Sequence, residues 1–86
     1  MAILLYCLSI AFAVEVSEIP NPRNNGLWVV DMVDAIQSKE EVRINSYIEQ
    51  LHRDSDVEIA VVTVANVSET PKEFATDLFN HWGIGG

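Results

Sequence analysis

The chain has 86 residues, 49% of them hydrophobic, and a formal net charge of −8 at pH 7. This length holds at most one small domain, and a content of one Cys, three Pro and four Gly excludes a disulfide-stapled miniprotein and a collagen-like chain. Five Lys and Arg residues against thirteen Asp and Glu make no basic patch, so we expect no nucleic-acid partner.

An apolar stretch without charged residues opens the chain and extends to Val14. It is shorter than the roughly 20 helical residues that cross a bilayer core, but it has the length of the hydrophobic region of a signal peptide. Residues 11–13 follow the small-x-small cleavage pattern, which predicts a signal peptide over 1–13, cleavage between Ala13 and Val14, and no membrane span in the mature chain. The alternatives are a buried N-terminal strand or an uncleaved anchor.

Turn-forming residues dominate the next segment. Proline and asparagine recur at 19–22 and 24–26, and they predict an extended lead-in over residues 14–26. Residues 27–31 are apolar and β-prone, which predicts a short strand or an extended segment held in place by Trp28.

A first helix is predicted from residue 38 onwards. Ser38 and Glu41 have the spacing of a capping box. An apolar stripe at helical spacing follows, formed by Ile44, Tyr47, Ile48 and Leu51. We expect this stripe to be buried and the helix to end at 54–56.

A second strand and a second helix complete the pattern. Residues 57–64 are apolar and mostly β-branched, which is typical of a strand covered on both faces of a parallel or mixed sheet. Thr70 and Glu73 predict another capping box, with Pro71 in the favoured first position and Gly83 as the stop. The predicted buried stripe of this helix contains Phe74, Ala75, Leu78, Phe79 and Trp82.

The order of the clear elements is helix, strand, helix. A right-handed β-α-β unit would need a strand after the second helix, where this chain ends. The pattern therefore predicts an α/β fold that is truncated after the second helix.

Three segments resemble the N-terminal half of a TPM domain. They are WVVD at 28–31, IAVVTV at 59–64 and the pattern F-x-x-x-L-F-x-x-W-G-I-G at 74–85. The resemblance covers residues 19–86 and implies a mixed β-sheet between helices, with residues 27–86 as the N-terminal portion of the domain. This family includes thylakoid-lumen proteins of plants and cyanobacteria that are linked to photosystem II repair, and many bacterial envelope proteins.

The resemblance implies an exported accessory domain in the periplasm or thylakoid lumen. Its expected partner is a membrane-protein complex, with photosystem II assembly or repair as the candidate process. The alternative is an acid phosphatase of the TPM type with metal-dependent phosphoryl hydrolysis. Phosphoryl transfer needs positive charge or a metal to neutralise the developing negative charge. The five Lys and Arg residues are dispersed along the chain, so we rank the phosphatase function below the accessory function.

Few residues are candidates for metal binding or catalysis. Asp31 and Asp34 are weak candidates for a Ca²⁺ site, which would belong to the full-length domain, and a solvated or capping role is the stronger interpretation. His52 and His81 lack neighbouring ligands, so we expect no zinc site. The sequence assigns no catalytic residue.

Overall fold

The computed structural model describes residues 2–7 and 13–84. Within them lie three strands and two α-helices, in the order β1 (Ala2–Cys7), β2 (Val29–Asp31), α1 (Ser38–Ser55), β3 (Ile59–Val64) and α2 (Pro71–Trp82). The lead-in between β1 and β2 contains two short 3-10 turns, Val16–Glu18 and Pro22–Asn25.

The described strands form one parallel sheet in the order β1-β3-β2. β1 pairs with β3 along its whole length, from Ala2 opposite Ile59 to Cys7 opposite Val64. β2 pairs with the other edge of β3, and Val29 lies opposite Val61. The predicted α/β class is confirmed, and both strands that pair with β3 are parallel to it.

The two helices lie on opposite faces of this sheet, because successive residues of a strand point to opposite sides. Val62 and Val64 of β3 pack with Phe74 and Leu78 of α2. On the other face, Val61 joins a cluster with Trp28, Val29 and Ile48 of α1. The apolar run in β3 is therefore covered from both sides, as its composition predicts.

The N-terminal strand uses the residues that the sequence predicts as a signal peptide. Of the alternatives to a signal peptide, a strand is what the structure shows for residues 2–7 in the full chain. Ala13 is exposed, and the backbone N–H of Val14 donates to Asn66 O at 2.6 Å. The rest of the cleavage motif, Ala11 and Phe12, lies outside the described residues, so processing stays a prediction.

The second predicted cap forms and the first does not. Glu73 N donates to Thr70 Oγ1 at 3.2 Å, Thr70 N donates to Glu73 Oε1 at 3.4 Å, and Pro71 is the first helical residue. Gly83 ends α2 with a left-handed φ of 71°, as predicted. The prediction of a capping box at Ser38 and Glu41 is wrong. Gln37 is the N-cap of α1 without a side-chain bond, so Ser38 already lies inside the helix, and Glu41 N donates to Gln37 O.

The buried stripe of α1 is rotated from the predicted one. Ile48 is buried, as predicted, but Tyr47 is 68% exposed. The reason is that Trp28 packs against α1 on the side of Asn45 and Glu49, and both of these residues accept hydrogen bonds from it. Tyr47 therefore lies away from the sheet.

Candidate functional site

The carboxyl ends of β2 and β3 meet at one edge of the sheet, where open parallel α/β sheets usually bind their ligands. Asp31 is the last residue of β2 and lies opposite Thr63 of β3. Thr63 Oγ1 donates to Asp31 Oδ1 at 2.5 Å. This hydrogen bond ties the ends of the two strands together.

Asp31 also closes the turn that follows β2. Its Oδ1 accepts from Ala35 N at 2.9 Å and its Oδ2 accepts from Ile36 N at 2.8 Å. Partial burial acts to raise the pKa of Asp31, but the hydrogen bonds from Thr63 and from these amides outweigh it and hold the pKa below its usual value. The carboxylate is therefore ionised and already engaged by donors of the protein itself.

Asp34, the other candidate ligand, lies in the same turn. It is exposed and has a left-handed φ of 53°, a conformation that Asp tolerates better than most residues. Across residues 2–7 and 13–84, no group of three or more His, Cys, Asp or Glu side chains is placed to hold a metal. Because Ca²⁺ takes six to eight oxygens and both oxygens of Asp31 are engaged, these two residues do not fit a Ca²⁺ site by themselves.

An apolar groove of about 420 Å³ lies beside this edge, between β1, β3 and α1. Leu4 is 63% exposed there, since α1 covers β2 and β3 but not the neighbouring part of β1. Thr63 brings a polar atom to the groove. The residues that line it are Leu4, Ala35, Ile36, Ile44, Val61, Val62 and Thr63.

A second surface feature is an acidic cluster around the first turns of α2. Glu69, Glu73 and Asp77 line a shallow depression together with Lys72. Burial and a hydrogen bond with Asp77 raise the pKa of Glu69, and the negative charges of Asp77 and Glu73 add to the effect. Sequence reasoning missed this cluster, because Glu69 belongs to the loop before α2 and meets Asp77 only once the helix forms.

The arginines are engaged within the chain. Arg23 lies over the ring of Trp28 at 3.6 Å from the centroid, a cation–π contact. Arg43 pairs with Glu40 at 3.3 Å, and Arg53 pairs with Glu49 at 3.4 Å. None of these three contacts is with Asp31 or Thr63, so they do not build a phosphate-binding group at the carboxyl edge.

Asn45 of α1 positions β2, a role that sequence reasoning also missed. Its Oδ1 accepts from Trp28 N at 2.6 Å and from Val29 N at 3.1 Å, and its Nδ2 donates to Glu41 O at 3.1 Å. Glu49 accepts from Trp28 Nε1 at 3.0 Å, and this bond lowers the pKa of Glu49. An amide next to the apolar stripe of a helix is the one signal that could have indicated this contact.

Trp82, His52 and His81, the other residues considered from the sequence, lie in the last turns of the two helices. Trp82 is half-buried, and its Nε1 donates to Ile19 O at 3.4 Å. His52 lies in the last turn of α1, with Nδ1 at 3.1 Å from Val57 O, and His81 lies in the last turn of α2. In the part of the chain that the structure describes, no helix has the length and apolar character needed to span a membrane.

Comparison with protein families matches the TPM domain over residues 29–86, which is more than half of the chain. The match begins at the first residue of β2 and includes α1, β3 and α2. Neither the curated proteins nor the solved structures contain a match to this chain.

Proposed function

The chain belongs to the TPM-domain family, and from that premise we propose that it is an extracytoplasmic accessory domain that binds a membrane-protein complex. The proposed setting is photosystem II assembly or repair, in the periplasm or thylakoid lumen. The observation that carries the proposal is a TPM domain preceded by an apolar, uncharged segment with the features of a signal peptide.

Two surfaces support a binding role. The apolar groove next to the ordered edge made by Asp31 and Thr63 keeps most of its lining when residues 1–13 are removed, since only Leu4 among its lining residues belongs to the predicted signal peptide. Apolar surface that is not covered within a chain is characteristic of interaction sites. On the opposite face, the acidic cluster of α2 provides negative charge that would orient the domain on a partner with a basic surface.

Affinity purification from a photosynthetic host tests this function. We expect the tagged full chain to co-purify with photosystem II, and a deletion strain to recover slowly from photoinhibition. Ile36→Asp, which places a charge in the groove, should reduce co-purification, whereas Val42→Asp on the exposed side of α1 should not. Circular dichroism of both purified variants checks that they fold. Recovery of the deletion strain from photoinhibition at the wild-type rate would refute the proposal.

An acid phosphatase of the TPM type is the second candidate. It is favoured by the position of Asp31 and Thr63 at the carboxyl edge, where α/β enzymes commonly place reactive groups. It is opposed by the engagement of both Asp31 oxygens in hydrogen bonds of the fold, because a phosphoryl-transfer site needs groups that are free to neutralise the developing charge.

A further inference from the structure

The predicted cleavage position coincides with a boundary in the structure. Ala13 is exposed, whereas Val14 is half-buried and packs against the core cluster that contains Val64 and Phe74. The backbone N–H of Val14 donates to Asn66 O at 2.6 Å, in the loop between β3 and α2. Val14 is therefore attached to the domain both by its side chain and by its backbone N–H.

This attachment has an apolar part and a polar part. Val67, next to Asn66 in the loop, packs against the same core cluster as Val14, and so does Val16. Glu15, between the two N-terminal valines, is exposed. We call Asn66 O, together with the core surface that Val14 covers, the N-terminal site. It accepts one N–H and takes a branched aliphatic side chain.

The charges around the N-terminal site are mostly negative. Glu15 adjoins Val14 along the chain, and Glu69 follows Asn66 in the same loop. Burial and a hydrogen bond with Asp77 raise the pKa of Glu69, and nearby negative charges, including that of Glu15, add to the effect. The other charged side chains of the adjoining 3-10 turn and of the first turn of α2 are Glu18, Lys72 and Glu73. These surroundings favour an added positive charge, because opposite charges close by stabilise the charged form of a titratable group.

Cleavage after Ala13 supplies such a charge. Hydrolysis of the peptide bond consumes one water: the carbonyl carbon of Ala13 becomes a carboxylate, and the nitrogen of Val14 becomes an ammonium group. One N–H of this ammonium corresponds to the amide N–H that already donates to Asn66 O. A charged donor makes a stronger hydrogen bond than a neutral amide, so the contact gains from the cut.

We propose that the N-terminal site binds the α-ammonium group of Val14 once the predicted signal peptide has been removed, so that the domain holds its own new N-terminus. This inference rests on the processing step of the proposed function and does not involve the partner. The site discriminates by position. A chain that began at Ala13 would carry its ammonium on an exposed residue, and a chain that began at Glu15 would lack both the valine side chain and its N–H.

A cut made in the folded full chain tests the proposal. The recognition sequence of a site-specific protease replaces residues 10–13, so that cutting after its last residue leaves Val14 as the first residue. In the matched control, the recognition sequence replaces residues 9–12 and the cut chain begins at Ala13. The carbon NMR shifts of the first residue, followed against pH, report the pKa of its α-amino group.

In the cut chain that begins at Val14, we expect the pKa of the α-amino group to lie at least about 0.5 above its ordinary value of about 7.7–8.0. The chain that begins at Ala13 should show the ordinary value, because that residue is exposed. Glu15→Gln should reduce the shift, whereas Glu40→Gln, the same charge change in the first turn of α1, should not. An ordinary or lowered pKa in the chain that begins at Val14, or equal values in the two chains, would overturn the proposal.

Amide hydrogen exchange reports whether the fold survives the cut. In the uncut chain, the amide of Val14 should exchange more slowly than in an unstructured peptide, because it is bonded to Asn66 O. Exchange at the rate of an unstructured peptide would overturn the proposal, and so would unfolding of the chain that begins at Val14, because the site would then not hold its N-terminus.

The outcome is separable from that of the proposed function, because an added protease makes the cut. A raised α-amino pKa without co-purification with photosystem II would leave the N-terminal site intact and refute the physiological setting. Co-purification of a protein whose α-amino pKa is ordinary would refute the N-terminal site alone.

Discussion

Asn45 provides the sharpest test of how α1 holds β2. Its Oδ1 is the acceptor for two backbone amides, those of Trp28 and Val29, whose residues are 1% and 3% exposed. Asn45→Ala would leave both amides without this acceptor. At about 1–3 kcal/mol for each unsatisfied buried group, the loss is about 2–6 kcal/mol. The better helix propensity of Ala returns about 0.6 kcal/mol, so we expect a net loss of about 1.4–5.4 kcal/mol.

That loss is large for a domain of this size, whose free energy of unfolding is expected to be about 4–13 kcal/mol. Urea unfolding monitored by tryptophan fluorescence measures it, since Trp28 lies at the contact between α1 and β2. Asn45→Asp is the matched variant, because it keeps an acceptor for both amides and removes the donor to Glu41 O. We expect it to cost less than Asn45→Ala.

Ser46→Ala controls for changes on the exposed side of the same helix and should shift stability by less than about 0.5 kcal/mol. The reasoning would be refuted if Asn45→Ala were as stable as the wild type. It would also be refuted if Asn45→Asp were as unstable as Asn45→Ala, because the acceptor would then not be what matters.

The capping box of α2 predicts that Thr70→Ala lowers the free energy of unfolding by about 1 kcal/mol, whereas Thr76→Ala, further along the helix, should cost less; equal effects in urea titrations would contradict this. The raised pKa of Glu69 predicts that its contribution to stability is present below the ordinary pKa of glutamate and is lost as the pH rises through the higher folded value. Glu69→Gln should therefore flatten the fall in stability with rising pH, and an unchanged pH profile of urea midpoints would refute the assignment. A phosphatase assay with p-nitrophenyl phosphate, with and without Ca²⁺ or Mg²⁺, should show no turnover by this chain, because the Asp31 oxygens are engaged in the fold. Metal-dependent turnover that Asp31→Asn abolishes would contradict that expectation.

Local patterns predicted those parts of the fold that neighbouring residues determine. The helix behind Thr70 begins as expected, because Pro71 and the reciprocal bonds of Thr70 and Glu73 act within one turn. The apolar run in β3 is covered on both faces for the reason its composition indicates. Ser38 shows the limit of such patterns, since a shift of one residue in the helix start leaves its hydroxyl without a capping role.

Contacts between segments that are distant along the chain could not be predicted from the local sequence patterns. The orientation of α1 depends on Trp28, which lies 17 residues before Asn45 and draws that face of the helix toward the sheet. Asp31 and Thr63 are 32 residues apart and meet only because β2 and β3 pair in parallel. The position of residues 2–7 beside β3 likewise follows from an edge that needs a partner, and a short apolar run does not distinguish such a strand from a leader.

The unfolding free energies of two variants of the uncut full chain test most directly whether residues 2–7 occupy the edge of β3. Ile3→Asp should lower the free energy of unfolding by about 2–3 kcal/mol, because it places a charge in a largely apolar contact. Leu4→Asp should change it by less than about 0.5 kcal/mol, because that side chain is mostly in water. Equal stability of the two variants and the wild type would contradict the account, since β1 would then not be part of the folded sheet.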